Sequence, residues 1–219
     1  MNSSTHRAPF ISFEGGDGAG KTTQIKALEK TLREIGQSVL VTREPGGSKG
    51  GEAIRALLVT GDVESWTPIS ETLMMYAARA EHLALTINPA RENGVIVLCD
   101  RFSDSTRAYQ GAGGNVSPSF IETLENGVVA GDGPDITFIL DLPVERGLAR
   151  AGERAEGEDR FEAKGTAFHE RVRHRFLAIA AANPDRCKVI DAHRTPEEVT
   201  EEVLALALPF IESWKRKNG

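Results

Sequence analysis

The chain has 219 residues, of which 40% are hydrophobic and 26% charged. These are ordinary globular proportions, and they exclude a collagen, a coiled-coil rod and a disordered chain. Acidic residues number 32 against 26 basic ones, a formal charge of −6, which argues against nucleic acid as a partner held by overall positive charge.

The first strand is expected over Phe10 to Glu14. Directly after it stands Gly15-Gly16-Asp17-Gly18-Ala19-Gly20-Lys21-Thr22, which fits G-x-x-x-x-G-K-[ST]. Helical periodicity follows from Lys21 to Ile35, with Gly36 at the position of a cap. Val39 to Arg43 reads as a second strand. Ser70 to Glu92 reads as one long helix closed by Gly94, and Val95 to Asp100 as a third strand. Ser117-Pro118 opens a further helix, since proline suits the first helical position. Ile136 to Asp141 and Lys188 to Asp191 complete about five strands. Thr195 and Glu198 have the spacing of a capping box ahead of the last helix.

Several strands are nearly continuous in Val, Ile, Leu and Phe, as a parallel sheet covered on both faces requires. The alternation of strands and helices therefore predicts an α/β fold, a three-layer doubly wound parallel sheet. No internal repeat or Ser/Pro-rich linker divides the chain, so residues 1–219 are expected to form a single domain. Cys99 and Cys187 have no Cys-x-x-Cys spacing and are expected as buried or semi-buried thiols. No apolar run approaches the ~20 residues of a membrane helix. The N-terminal MNSSTHRAPF lacks the apolar centre of a secretory leader. The expected location is cytoplasmic, with no membrane partner.

The glycine-rich segment carries the strongest chemical signal. Its glycines let the backbone curl so that successive N–H groups face phosphate oxygens, and the helix behind it adds partial positive charge. Lys21 supplies a cation near the β and γ phosphates, and Thr22, with Thr23 beside it, stands where a hydroxyl meets Mg²⁺. This predicts a nucleoside triphosphate site. Asn-Lys-x-Asp, which reads guanine, is absent. Asp100 and Arg101 close the third strand, and ligands of open α/β sheets bind outside the carboxyl ends of strands.

Four segments in order resemble bacterial thymidylate kinases, which phosphorylate dTMP to dTDP: FEGGDGAGKTTQ at 13–24, TREPGG at 42–47, CDRFSDSTRAYQG at 99–111, and the Arg-rich stretch ending in Asp159-Arg160-Phe161-Glu162. The resemblance runs from Phe10 to the final helix. It implies a P-loop nucleotide kinase fold, ATP and dTMP as substrates, Mg²⁺ as cofactor, a role in dTTP synthesis and a homodimer. Residues 15–23 would then bind ATP. Asp17 would meet the 3′-hydroxyl of the acceptor sugar. Asp100 would hold Mg²⁺ through water, while Arg101 and Arg55 would grip the acceptor phosphate. Glu44 and Pro45 would line the same pocket, Glu44 orienting the arginines or the water shell of the metal.

The same resemblance assigns the base pocket to Met75, Arg79, Thr106, Tyr109 and Gln110. Arg79 and Thr106 would face the O4 and N3 edge, Gln110 would make a polar contact near the base, and Tyr109 would pack under the deoxyribose. Met75 departs from the phenylalanine usual in the family, and Tyr76 is an alternative occupant of that place. Arg150 to Lys164 is either a charged solvated surface or a mobile lid. As a lid it would bring Arg154 and Arg160, and next Arg150, to the donor phosphates. His193-Arg194 would flank the donor adenine. Two other readings stand beside this one: a kinase for another nucleotide such as dUMP or AMP, and an ATP-dependent switch.

Overall fold

The computed structural model describes residues 7–152 and 160–218. Among them is one five-stranded parallel sheet built from β1 (Phe10–Gly15), β2 (Val39–Arg43), β3 (Ile96–Asp100), β4 (Ile136–Asp141) and β5 (Cys187–Asp191). The spatial order is β2-β3-β1-β4-β5. The chain thus runs to one side of β1 and then to the other, so the loops after β1 and β3 open together at the carboxyl edge, where the register pairs Phe13 with Asp100.

The strands bury both faces. Ile11 and Phe13 of β1, Ile96 and Leu98 of β3, and Phe138 and Leu140 of β4 pack against α1 (Lys21–Glu34) and α9 (Pro196–Asn218). The alternating residues Phe10, Val97 and Cys99 face the other way. They meet α3 (Pro68–His82), α4 (Asn88–Glu92) and α6 (Pro118–Val128), while Ile139 meets α8 (Thr166–Ala182). Each large apolar side chain so buried contributes roughly 1.5–3 kcal/mol. Cys99 and Cys187 are free and buried. The remaining helices are α2 (Lys49–Val59), α5 (Ser103–Thr106) and α7 (Val144–Gly152).

The expected long helix over 70–92 is a composite. It begins at Pro68, where the Thr67 side chain accepts from Ser70 N–H, and it widens into a π turn at Leu83–Ile87 before α4. Pro89 has no N–H to donate to the carbonyl four residues back, and the wide turn lies just ahead of it. The expected capping box is present: Thr195 N–H donates to Glu198 Oε2 at 2.9 Å and Glu198 N–H returns to Thr195 Oγ1 at 3.3 Å. No helix among the described residues is long and apolar enough to cross a membrane.

Candidate active site

At the end of β1 the backbone turns through conformations that side chains resist. Gly15 takes φ +133° and Gly18 φ +71°. A Cβ on Gly18 would collide with the carbonyl of Gly147, which packs the loop directly on α7. Gly20 then leads into α1, whose first turn carries no side-chain cap and no acidic residue. The N–H groups of that turn are left for an anion. Lys21 Nζ donates to Gly16 O at 3.0 Å and lies 3.4 Å from Gly15 O. Burial, reinforced by the Arg101 charge, pushes its pKa down to about 8. Thr22 Oγ1 donates to Asp100 Oδ2 at 3.1 Å. That hydrogen bond leaves the hydroxyl lone pairs facing outward, and two hard oxygen donors side by side suit Mg²⁺.

This cradle forms one end of a cavity of ≈ 420 Å³. Arg55, Met75, Arg79, Arg101, Thr106 and Gln110 converge on its walls from α2, α3, the end of β3, and the segment that follows it. Glu44, Pro45, Tyr109 and Asp17 line it as well, whereas Gly15, Gly16, Ala19 and Thr23 do not. Among the apolar residues, Val59, Met75, Phe102 and Phe161 contribute to the wall. Tyr76 is elsewhere: it is buried in the core with its ring 4.7 Å from the Arg79 guanidinium, and its hydroxyl donates to Glu125 at 3.0 Å. It does not replace Met75 at the cavity.

Arg101 joins the two ends. It is a non-glycine residue at φ +68°, a costly conformation that is tied down by Arg101 N–H donating to Phe13 O at 2.9 Å. Its Nη1 donates to Gly15 O at 2.9 Å and to Ser105 Oγ at 3.2 Å, and its Nη2 to Asp17 Oδ1 at 2.6 Å and Tyr109 Oη at 3.0 Å. Tyr109 Oη in turn donates to Asp17 Oδ2 at 3.0 Å. Burial works against the Arg101 charge, but Tyr109, Asp17, Asp100 and Glu14 around it hold its pKa above the ordinary value. Burial would raise Asp17; Arg101, Lys21 and the Tyr109 hydroxyl outweigh it and hold the carboxyl below its usual range.

At the far end, Glu44 orients an arginine. Its Oε2 accepts from Arg79 Nε at 2.8 Å and its Oε1 pairs with His82 Nδ1 at 3.0 Å. Arg79 Nη2 donates to Thr106 Oγ1 at 3.1 Å, and Arg79 Nη1 is buried with no partner among the described residues. Arg55 Nη1 donates to Pro45 O at 2.8 Å. Gln110 Nε2 donates to Glu71 Oε1 at 2.8 Å.

The expectation for Arg160 is corrected. Its side chain is almost fully buried, held by the carbonyls of Leu58, Asp62 and Val63 at 3.0 Å each and by Glu71 at 2.6 Å. A guanidinium committed to four acceptors has no reach toward donor phosphates. Arg154 lies outside the described residues. Arg150 is exposed on α7 and is not on the cavity wall, which Ala151 and Gly152 reach instead. His193 and Arg194 follow β5 and are not on the wall of this cavity; Arg194 is paired with Glu202.

Two buried carboxylates behind the cavity had no role assigned by the sequence. Glu14, one residue before the end of β1, is fully buried, accepting from Phe102 N–H at 2.7 Å and Ser105 Oγ at 2.6 Å. Burial, with Asp104 nearby, pushes its pKa up to about 7. Glu71 is the other. A carboxylate inside an otherwise apolar strand end, and one at the start of a helix facing its core, are the available sequence signals.

A parallel sheet with a phosphate cradle at its carboxyl edge, a Thr–Asp oxygen pair and an adjoining arginine-lined cavity define a P-loop phosphotransferase. A family model described as thymidylate kinase matches residues 13–203. The thymidylate kinase of Caulobacter vibrioides is 56% identical over 194 residues, 89% of this chain and 93% of that protein. That of Dinoroseobacter shibae is 48% identical over 201 residues, 92% and 97% of the two chains. The crystal structure of thymidylate kinase from Ehrlichia chaffeensis superposes with a TM-score of 0.76 at 37% identity, covering 91% of this chain and 98% of that one. The chain belongs to the thymidylate kinase family and is a phosphotransferase.

Proposed function

We propose that the chain transfers the γ-phosphoryl group of ATP to dTMP, giving dTDP and ADP, with the residues of one cavity divided between the two substrates. The carrying observation is the convergence of Arg55, Arg79, Arg101 and Gln110 on a space that also opens onto Lys21 and Thr22. A monophosphate is already largely dianionic near neutral pH, its second pKa being ~6, so alignment and charge neutralisation matter more than a strong base. Lys21 and the N–H groups of the first turn of α1 receive the donor phosphates. Thr22 and Asp100 are the residues that would hold Mg²⁺. When bound, the ion neutralises charge on the donor phosphates. Arg55 and Arg101 hold the acceptor phosphate in line with the donor, and Asp17, fixed by Arg101 and Tyr109, faces the acceptor sugar.

The polar pattern at the far end supports a thymine-type base. Arg79 Nη1 is an unused buried donor, and the Gln110 carbonyl is an acceptor on the cavity wall. Thymine presents an acceptor at O4 beside a donor at N3–H, which matches both. Cytosine presents the reverse and leaves both groups unpaired. Residues 1–219 are read as one domain. The reading extends to a cytoplasmic homodimer. Ile69 and Leu73, about one turn apart on α3, and Leu57 on α2 are exposed apolar residues suited to a subunit contact.

A coupled ADP assay with dTMP, dUMP, dCMP and AMP under Mg-ATP tests the reading. dTMP should lead, with dUMP poorer for lack of the methyl group and dCMP weaker still. Slow ATP turnover indifferent to every monophosphate would instead describe a nucleotide switch.

A further inference from the structure

Gln110 is 1% exposed, and the orientation of its amide is decided behind the cavity wall. Its Nε2 donates to Glu71 Oε1 at 2.8 Å. The other oxygen of Glu71, Oε2, accepts from Arg160 Nη1 at 2.6 Å and has Lys164 Nζ 3.7 Å away. Arg160 cannot turn aside, because the carbonyls of Leu58, Asp62 and Val63 hold three more of its hydrogens. An ionised carboxylate can only accept hydrogen bonds. It therefore demands the NH₂ end of Gln110 and leaves the carbonyl end toward the cavity, where Oε1 takes no hydrogen bond among the described residues.

We propose that Glu71, clamped by Arg160 and Lys164, is a positioning residue that sets the amide orientation of Gln110 and so selects a base carrying a proton at N3 over cytosine. The inference rests on reading the cavity as the acceptor site. Arg160 thereby gains a purpose, because polarity passes from the cation to the carboxylate, to the amide, and on to the base. The same relay ties the residues that follow position 159 to the base pocket.

The sharpest test is Glu71→Gln. Arg160 and Lys164 both crowd the Oε2 position, so the new amide keeps its oxygen there and turns its NH₂ toward Gln110. Gln110 then answers with its carbonyl and presents NH₂ to the cavity. That inverts the hydrogen-bonding pattern offered to the base. The ratio of kcat/KM for dTMP to that for dCMP should shrink by about tenfold or more, with dTMP falling and dCMP rising, since one mismatched buried hydrogen bond is of that order.

A folded variant with an unchanged ratio, or with both acceptors lowered alike, overturns the proposal, because a merely structural role moves them together. Failure of the unaltered protein to prefer dTMP over dCMP would count against the acceptor reading and not against Glu71. Should Glu71→Gln not fold, ¹⁵N-glutamine labelling of the unaltered protein decides. The side-chain NH₂ of Gln110, assigned by its loss in Gln110→Ala, should be protected from solvent exchange before any nucleotide is added. A rapidly exchanging NH₂ there overturns the proposal.

Discussion

The two ends of the cavity are built in different ways. The end proposed for the donor is contiguous: residues 15–22 form a loop and one helix start, whose first turn offers backbone N–H groups without a side-chain cap. The acceptor end is assembled from side chains on α2, α3, the end of β3 and the turns after it. Backbone recognition depends on glycines that permit the curl, so it tolerates little variation but needs no partners. Side-chain recognition depends on second residues that hold the first in place: Glu44 for Arg79, Glu71 for Gln110, Asp17 and Tyr109 for Arg101.

Arg101 belongs to both ends, and its loss should have the largest effect. Arg101→Ala removes a guanidinium from the cavity wall and also releases Gly15 O and Asp17 of the cradle. We expect kcat to fall by roughly a thousandfold or more, as for other arginines at a transferring phosphoryl group. Binding of a non-hydrolysable ATP analogue should weaken by a smaller factor, measured by calorimetry. An unchanged ATP affinity would show the two ends to be more independent than the hydrogen bonds imply.

Arg160→Ala tests a residue that supports one end without touching a substrate. The pair is almost wholly buried, with side-chain exposures of 0% and 3%. Removing the cation leaves Glu71 poorly compensated and should cost about 3 kcal/mol or more of stability, read from denaturant unfolding. If Arg160 reached donor phosphates instead, stability would hold and kcat alone would fall.

A smaller effect separates the ends by pH. Burial and the Arg101 charge push the Lys21 pKa down to about 8. Below that pH it is already charged, and ATP analogue affinity should be flat. Above it, binding must take up a proton, and affinity should fall by up to about tenfold per pH unit. dTMP binding, resting on arginines, should not follow this slope. Titrations of both ligands between pH 7 and 10, with proton uptake followed in two buffers, check it.

The difference in construction also explains what could be read from the sequence. The five strands and the cradle were legible because both are local: apolar runs bounded by turns, and a motif eight residues long. That Arg55, Arg79 and Gln110 line one cavity was legible only through family resemblance, since nothing in their spacing says that they meet. Arg160 was misread for the same reason. Its charged neighbours suggested an exposed lid, whereas carbonyls near Leu58 and Val63, about a hundred positions earlier, draw it inward. The roles of Glu14 and Glu71 are not legible in the sequence, because a buried carboxylate is defined by its partners, which lie 89 to 91 residues away for Arg160 and Ser105.

The division of the cavity is tested most directly by crossed titrations of Lys21→Ala and Arg55→Ala with a non-hydrolysable ATP analogue and with dTMP. Lys21→Ala should weaken the analogue by about a hundredfold and leave dTMP within a few-fold, and Arg55→Ala should do the reverse by about tenfold or more. Loss of analogue binding in Arg55→Ala, with dTMP unaffected, would contradict the account.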